Sequence, residues 1–280
     1  MSLLDAKPIY KPFRYPWAYD AWLTQQRIHW LPEEVPLADD VKDWHKNLTP
    51  AEQNLLTQIF RFFTQADVEV NNCYMKHYSQ VFKPTEIQMM LSAFSNMETV
   101  HIAAYSHLLD TLGMPEVEYQ AFLKYKAMKD KYDYMQQWGV SSREDIAKTL
   151  AVFGGFTEGL QLFASFAILM NFPRFNKMKG MGQIVTWSVR DESLHTNSII
   201  RLFKTFISEG RYPVWTKAVT VGLVLRVRNL AIKIEREQDP VKQNKLIAQQ
   251  NKLIAYLNGL GIAVNSDDQK LMTSVRSRLR

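Results

Sequence analysis

The sequence predicts an all-α protein, a bundle of long helices with a dinuclear metal site in its core and extra peripheral helices. Three observations carry this. Few segments alternate apolar and polar residues with the period of a strand. Helix start and stop signals recur along the chain. Two four-residue words, Glu98-Thr-Val-His101 and Glu192-Ser-Leu-His195, each set a carboxylate and an imidazole three positions apart, on one face of a helix.

The elements follow in order. Short helical pieces fill positions 15–30. Thr49-Pro50-Ala51-Glu52 reads as a capping box with proline at the first helical position. It opens a helix reaching about Val81, where Lys83-Pro84 interrupts. Thr85 caps the next, which carries Glu98 and His101 to Leu112 and stops at Gly113-Met114-Pro115. Residues 116–137 read as shorter pieces in the crossover between two helical hairpins. Ser141 and Glu144 form a second capping box, opening a helix through Glu158 to Asn171, before Pro173. A fourth long helix starts near Met181, carries Glu192 and His195, and ends at Gly210. At 1.5 Å per residue each long helix spans roughly 40–45 Å, enough for a bundle wall. Two further helices are expected at about Val214–Gln238 and from Asp239-Pro240 to Asn258. The last contains Asn-Lys-Leu-Ile-Ala twice, which reads as an amphipathic helix. The final fifteen residues read as frayed.

The chain has 280 residues, 46% of them hydrophobic, enough for one large domain with a substantial core. Residues 1–280 are read as one helical domain, with 1–30 an N-terminal arm and 211–280 divergent C-terminal helices and a basic tail. No uninterrupted apolar run reaches the roughly 18 residues of a membrane span. The longest, Leu160 to Phe172, is broken by Gln161 and Asn171. The N-terminus lacks the basic-then-apolar layout of a signal peptide. Cys73 is the only cysteine, so an intrachain disulfide is impossible. These features favour a cytoplasmic protein.

The net charge of +6 is uneven. From Arg201 to Arg280 there are 15 Lys and Arg against 6 Asp and Glu, so the first 200 residues carry 19 against 22. Such a basic third suits either a nucleic-acid or acidic-protein partner or a solvated helix surface. The scattered placement, without a nucleic-acid-binding motif, favours the surface.

Of the six histidines, only His101 and His195 follow a glutamate by three positions. Asp67 lies 31 residues before Glu98, and Glu158 lies 34 before Glu192, both in apolar stretches. A buried unpaired carboxylate costs several kcal/mol, and four near one point would not all stay ionised. Two divalent cations balance four carboxylates, and neutral imidazoles complete the shell without changing that sum. Asp67, Glu98, His101, Glu158, Glu192 and His195 are therefore the candidate metal ligands. A carboxylate and imidazole set suits iron or manganese better than zinc. Tyr105 shares the helix face of Glu98 and His101. It is either a phenol oxidisable by the metal pair or a core tyrosine.

These residues resemble the radical-generating small subunit of class I ribonucleotide reductase, within the ferritin-like superfamily of di-metal carboxylate proteins. The resemblance rests on Trp30-Leu-Pro-Glu-Glu34, Asp67, Ser95-Asn-Met-Glu98-Thr-Val-His101-Ile-Ala-Ala-Tyr105, Phe156-Thr-Glu158 through Phe166, and Val189-Arg-Asp191-Glu192-Ser-Leu-His195, over about residues 8–208. It implies that Asp67, Glu98 and His101 hold one metal and Glu158, Glu192 and His195 the other, with Glu98 and Glu192 placed to bridge. It implies that dioxygen oxidises the metal pair and that Tyr105 then stores a radical. It implies transfer of that radical through Trp30 and Asp191 to a large subunit that reduces ribonucleotides. Two iron ions are the first expectation and two manganese ions the second. A homodimer is expected, with no membrane and no direct nucleic-acid partner. After about residue 210 the family's pattern fades. Family tails are often acidic and carry a relay tyrosine, whereas here the last tyrosine is Tyr256 and the tail is basic. The alternatives are another di-metal oxidase without a stored radical, or a ferritin-like iron-handling bundle.

Overall fold

The computed structural model describes residues 2–121, 124–210 and 239–259, and every regular element among them is helical. The chain divides into two compact units, Met1–Glu209 and Gly210–Arg280. In the second unit the described helix is Pro240–Gly259, where the sequence places one. The expected helix at 214–238 and the frayed end lie outside the described residues.

The first unit holds the bundle. Helix α1 is Pro16–Arg27 and α2 is Ala38–Lys42, extended by a wide turn at Asp43–Asn47. Helix α3 is Pro50–Cys73, extended by a wide turn at Tyr74–Tyr78. Helix α4 is Thr85–Thr111 and packs against both α1 and α3. Two short helices, α5 (Val117–Ala121) and α6 (Lys126–Met135), form the crossover. Helix α7 begins at Arg143–Leu150 and continues through a π-helical stretch, Ala151–Leu162, to Phe163–Leu169. The short α8, Asn171–Arg174, leads to α9, Lys179–Gly210.

The capping box at α3 forms in full: Thr49 Oγ1 accepts from Glu52 N, and Glu52 Oε2 accepts from Thr49 N at 2.8 Å. Gly113 closes α4 with φ of 71°, a left-handed conformation that glycine adopts without a Cβ penalty. Three starts differ from the expectation. Helix α7 is capped by Ser142 accepting from Asp145 N, one position later than the box at Ser141. Thr85 is the first helical residue of α4, after Pro84, and its side chain does not cap. Helix α9 begins at Lys179, and its first amides are capped from far away. Gly180 N and Met181 N donate to the two oxygens of Asp40, at 2.8 and 2.7 Å. A cap supplied 140 residues upstream leaves no local signal.

The π-helical stretch is the largest departure from a regular 3.6-residue pattern. It approaches α9 closely. A Cβ on Gly154 would lie 2.2 Å from Cγ2 of Ile199, so only glycine fits there. The segment Arg143–Arg174 is also long and apolar enough to cross a membrane by length and composition, with a mean hydropathy of 1.4 in its most apolar window. The expectation from uninterrupted runs missed this, because averaging tolerates Glu158 and Gln161. In the structure Glu158 is turned into the bundle core.

Candidate metal centre

All six predicted ligands converge on the bundle interior. Asp67 comes from α3, Glu98 and His101 from α4, Glu158 from the π-helical part of α7, and Glu192 and His195 from α9. Each is 0–1% exposed. Their donor atoms form two groups. Glu98, Glu158, Glu192 and His195 form one, and Asp67, Glu98 and His101 the other, with atoms within 4.8 Å of one another in each. Glu98 belongs to both: its oxygens lie 3.7 Å from His101 Nδ1 and 2.9 Å from His195 Nδ1. Glu192 spans the same pair at 3.3 and 3.8 Å.

A metal pair fits this cluster on the structure's own terms. Six buried atoms of these six side chains form no hydrogen bond of acceptable geometry: Asp67 Oδ2, both oxygens of Glu98, both of Glu192, and His195 Nδ1. The short His195–Glu98 contact is a close approach without hydrogen-bond alignment. An orphaned buried polar group costs about 1–3 kcal/mol, so six in one place mark atoms kept for another partner. Burial, then the charges of neighbouring carboxylates, pushes Asp67, Glu158 and Glu192 above the ordinary carboxylate range. Burial also opposes ionisation of Glu98, but His101 and His195 outweigh it and lower its pKa. For His101 burial favours the neutral ring, yet Asp191, Glu192 and Glu98 raise its pKa well above 6.5.

Behind the two imidazoles lies a polar network. His101 Nε2 faces Asp191 Oδ2 at 3.2 Å, and Trp30 Nε1 donates to the same oxygen at 2.8 Å. The Trp30 ring, 2% exposed, lies 6.0 Å from the His101 ring. The expected residues Trp30, Asp191 and His101 therefore stand in one connected row. Gln25, which the sequence reading missed, completes the row. Its amide donates to Asp191 Oδ1 at 3.3 Å, and its oxygen lies 3.0 Å from His195 Nε2. Each imidazole is thus oriented from behind, as metal-binding histidines are.

Tyr105 is 2% exposed and stacks on Phe63, with centroids 4.8 Å apart. Its hydroxyl donates to Ser188 Oγ at 3.3 Å. Burial, then the Asp67 carboxylate, raises its pKa. A second phenol was also missed. Tyr74 donates to Glu158 Oε1 at 2.7 Å from the wide turn at the end of α3. Its position seven residues after Asp67 is the only trace of this in the sequence.

Fold and site together place the chain among helix bundles whose core carries a carboxylate and histidine cluster that could hold metal ions. The profile of the family described as "Ribonucleotide reductase, small chain" matches residues 9–238. The chain belongs to that family, and the match continues past residue 210, where the motif resemblance fades. It is 49% identical over 225 residues to a protein of Invertebrate iridescent virus 6 named "Probable ribonucleoside-diphosphate reductase small subunit 376L", covering 75% of this chain and 62% of that one. It is 43% identical over 257 residues to the similarly named 048L protein of Invertebrate iridescent virus 3, covering 85% of this chain and 67% of that one. The chain thus spans about two thirds or less of the length of these relatives. A solved ribonucleotide reductase R2 subunit from Clostridium botulinum shares the fold, with a TM-score of 0.70 at 18% identity, covering 98% of this chain and 84% of that one.

Proposed function

We propose that this chain is the radical-generating small subunit of a ribonucleoside-diphosphate reductase. The observation that carries the reading is the pair of carboxylates, Glu98 and Glu192, each facing both imidazoles, with a buried phenol on the same helix as Glu98 and His101.

Asp67, Glu98 and His101 would hold one ion, and Glu158, Glu192 and His195 the other, with Glu98 and Glu192 between them. The donor set favours two iron ions, with two manganese ions second. When bound, the pair supplies electrons to dioxygen and the oxidising power to draw an electron from a nearby side chain. Tyr105 would be the side chain that yields it, its phenol held in place by the hydrogen bond to Ser188 Oγ. The Phe63 ring and the closed core keep water and reductants away from that radical. Asp191 orients His101 and holds the indole hydrogen of Trp30, making Trp30 and Asp191 the exit route toward a large subunit that binds the ribonucleotide. A homodimer and a cytoplasmic setting complete the reading, the latter suited to nucleotide substrates and to the free buried thiol of Cys73.

The test is to add two ferrous ions per chain, admit oxygen and record the paramagnetic resonance spectrum. A tyrosyl radical in the native chain, lost in Tyr105→Phe, is expected. Ribonucleotide reduction is expected only with a large partner subunit. Metal oxidation without any radical would instead identify a two-electron oxidase, and uptake well beyond two ions an iron-handling bundle.

A further inference from the structure

We propose that Trp187 is the outer ring of a two-tryptophan electron conduit that links the protein surface to the buried Trp30–Asp191–His101 row. The inference rests on the functional reading above and adds a residue to it.

Trp30 is buried and cannot meet a partner's side chain directly. Among the described residues its ring contacts are two. His101 lies on one side at 6.0 Å, and Trp187 at 5.1 Å with the planes inclined by 52°. Trp187 is only partly buried, at the edge of the core cluster. The conduit therefore runs from a solvent-accessible indole, through a buried indole, to an imidazole of the candidate metal site. Two π-systems in contact exchange an electron over a short gap, whereas saturated side chains in the same place would not.

The placement is fixed by one stretch of α9. Trp187 directly precedes Ser188, the hydrogen-bond partner of Tyr105, and lies four residues before Asp191, on the same helix face. The segment carrying Trp30 is fastened to this stretch twice. Trp30 Nε1 binds Asp191, and Arg190 Nη2 donates to the carbonyl of Ile28. Two hydrogen bonds thus fasten the segment carrying Trp30 to the helix that carries Trp187. A residue that served packing alone would gain from complete burial, which Trp187 does not have.

The transfer itself needs no bond to form or break. One electron passes from the Trp187 indole to a Trp30 ring that lacks one, and Trp30 keeps its N–H on Asp191 Oδ2. Trp187, now one electron short, is refilled by a one-electron donor at the surface, such as a thiolate or phenol of a partner protein. The donor is oxidised by one electron and Trp30 is reduced by one.

Photo-oxidation of the full chain, without added metal, tests the conduit apart from the enzyme's activity. A soluble ruthenium polypyridyl complex with an irreversible acceptor is too bulky to touch Trp30. The Trp30 signal is the tryptophan-radical absorption lost on Trp30→Phe. It is expected in the native chain, mostly absent in Trp187→Phe, and retained in large part by Trp187→Tyr, which keeps an oxidisable ring. An equal signal in native and Trp187→Phe chains overturns the proposal. So does equal loss in the Phe and Tyr variants, or no Trp30 signal in the native chain. Failure of the functional reading is seen separately, as a missing Tyr105 radical in the native chain after iron and oxygen.

Discussion

Tyr74 and Glu158 are joined across two helices, the phenol donating to Glu158 Oε1 at 2.7 Å. Glu158 sits on a π-helical segment, so this bond sets where its other oxygen points. Tyr74→Phe removes the bond and keeps the ring, which packs edge-on to Phe94 and His195. Loss of such an outer partner typically weakens metal affinity roughly 10- to 100-fold. The second of two manganese(II) ions, followed by calorimetric titration, should weaken by that amount while the first is little changed. Equal weakening of both, or of neither, would count against Tyr74 as a positioning residue for Glu158.

Glu98 and Glu192 reach both imidazoles, whereas Asp67 belongs to one group. Glu98→Ala or Glu192→Ala should therefore abolish stoichiometric metal binding, while His101→Ala, in the same group as Asp67, should lose one of the two ions. Asp67→Ala should leave one ion bound. Metal analysis after desalting checks this, and two ions retained in Glu192→Ala would refute the ligand assignment.

The acid groups also predict how stability follows pH. Burial, then nearby carboxylates, raises Asp67 above 3.8 and Glu158 and Glu192 above 4.5. Between the ordinary and raised values the metal-free folded state holds protons that the unfolded state has lost, so stability falls as pH rises. His101 acts in the same direction. Its contribution is whole below 6.5 and is lost as pH climbs through its raised folded value. Glu98 and Asp191 act oppositely, since their depressed values give stability that is lost only as pH falls through them in the acid range. The Tm of the metal-free chain should thus decline from about pH 5 to about pH 8. Bound metal replaces the protons, so the Tm gain from manganese(II) should grow over the same range. A metal-free Tm that rises across it would contradict the buried-carboxylate account.

Gly154 faces Ile199 with no room for a methyl group. Gly154→Ala forces α7 and α9 apart, an overpacking cost of about 1–3 kcal/mol. Chemical denaturation reads the loss, and Ile199→Ala in the same chain should recover part of it. Unchanged stability in Gly154→Ala would mean that the close approach is not required.

The Glu98–His101 and Glu192–His195 words were legible because helical spacing alone puts three-apart residues on one face. Asp67 and Glu158 were legible as acids in apolar text, and the helices around them through proline, glycine and capping boxes. The Asp40 cap, the Gln25 bridge and the Tyr74 bond were not, because each joins residues far apart in sequence through polar types that are common on surfaces. The π-helical turn of α7 escaped because its apolar residues suit a regular helix equally well. Its close approach to α9 at Gly154 is a contact between residues far apart in sequence.

The hold that Asp40 keeps on the start of α9 has a counterpart at the other end of that helix. Glu209 accepts from Leu3 N at 2.8 Å and from the Tyr15 hydroxyl, and it lies 3.5 Å from the Arg14 guanidinium. Residues between Leu3 and Tyr15 are therefore partners of a residue about two hundred positions later in the same unit. Contacts of such separation are slow to form, since most of the chain must be closed into a loop first. During translation these residues have to wait, their anchoring points not yet made, until about two hundred further residues have emerged.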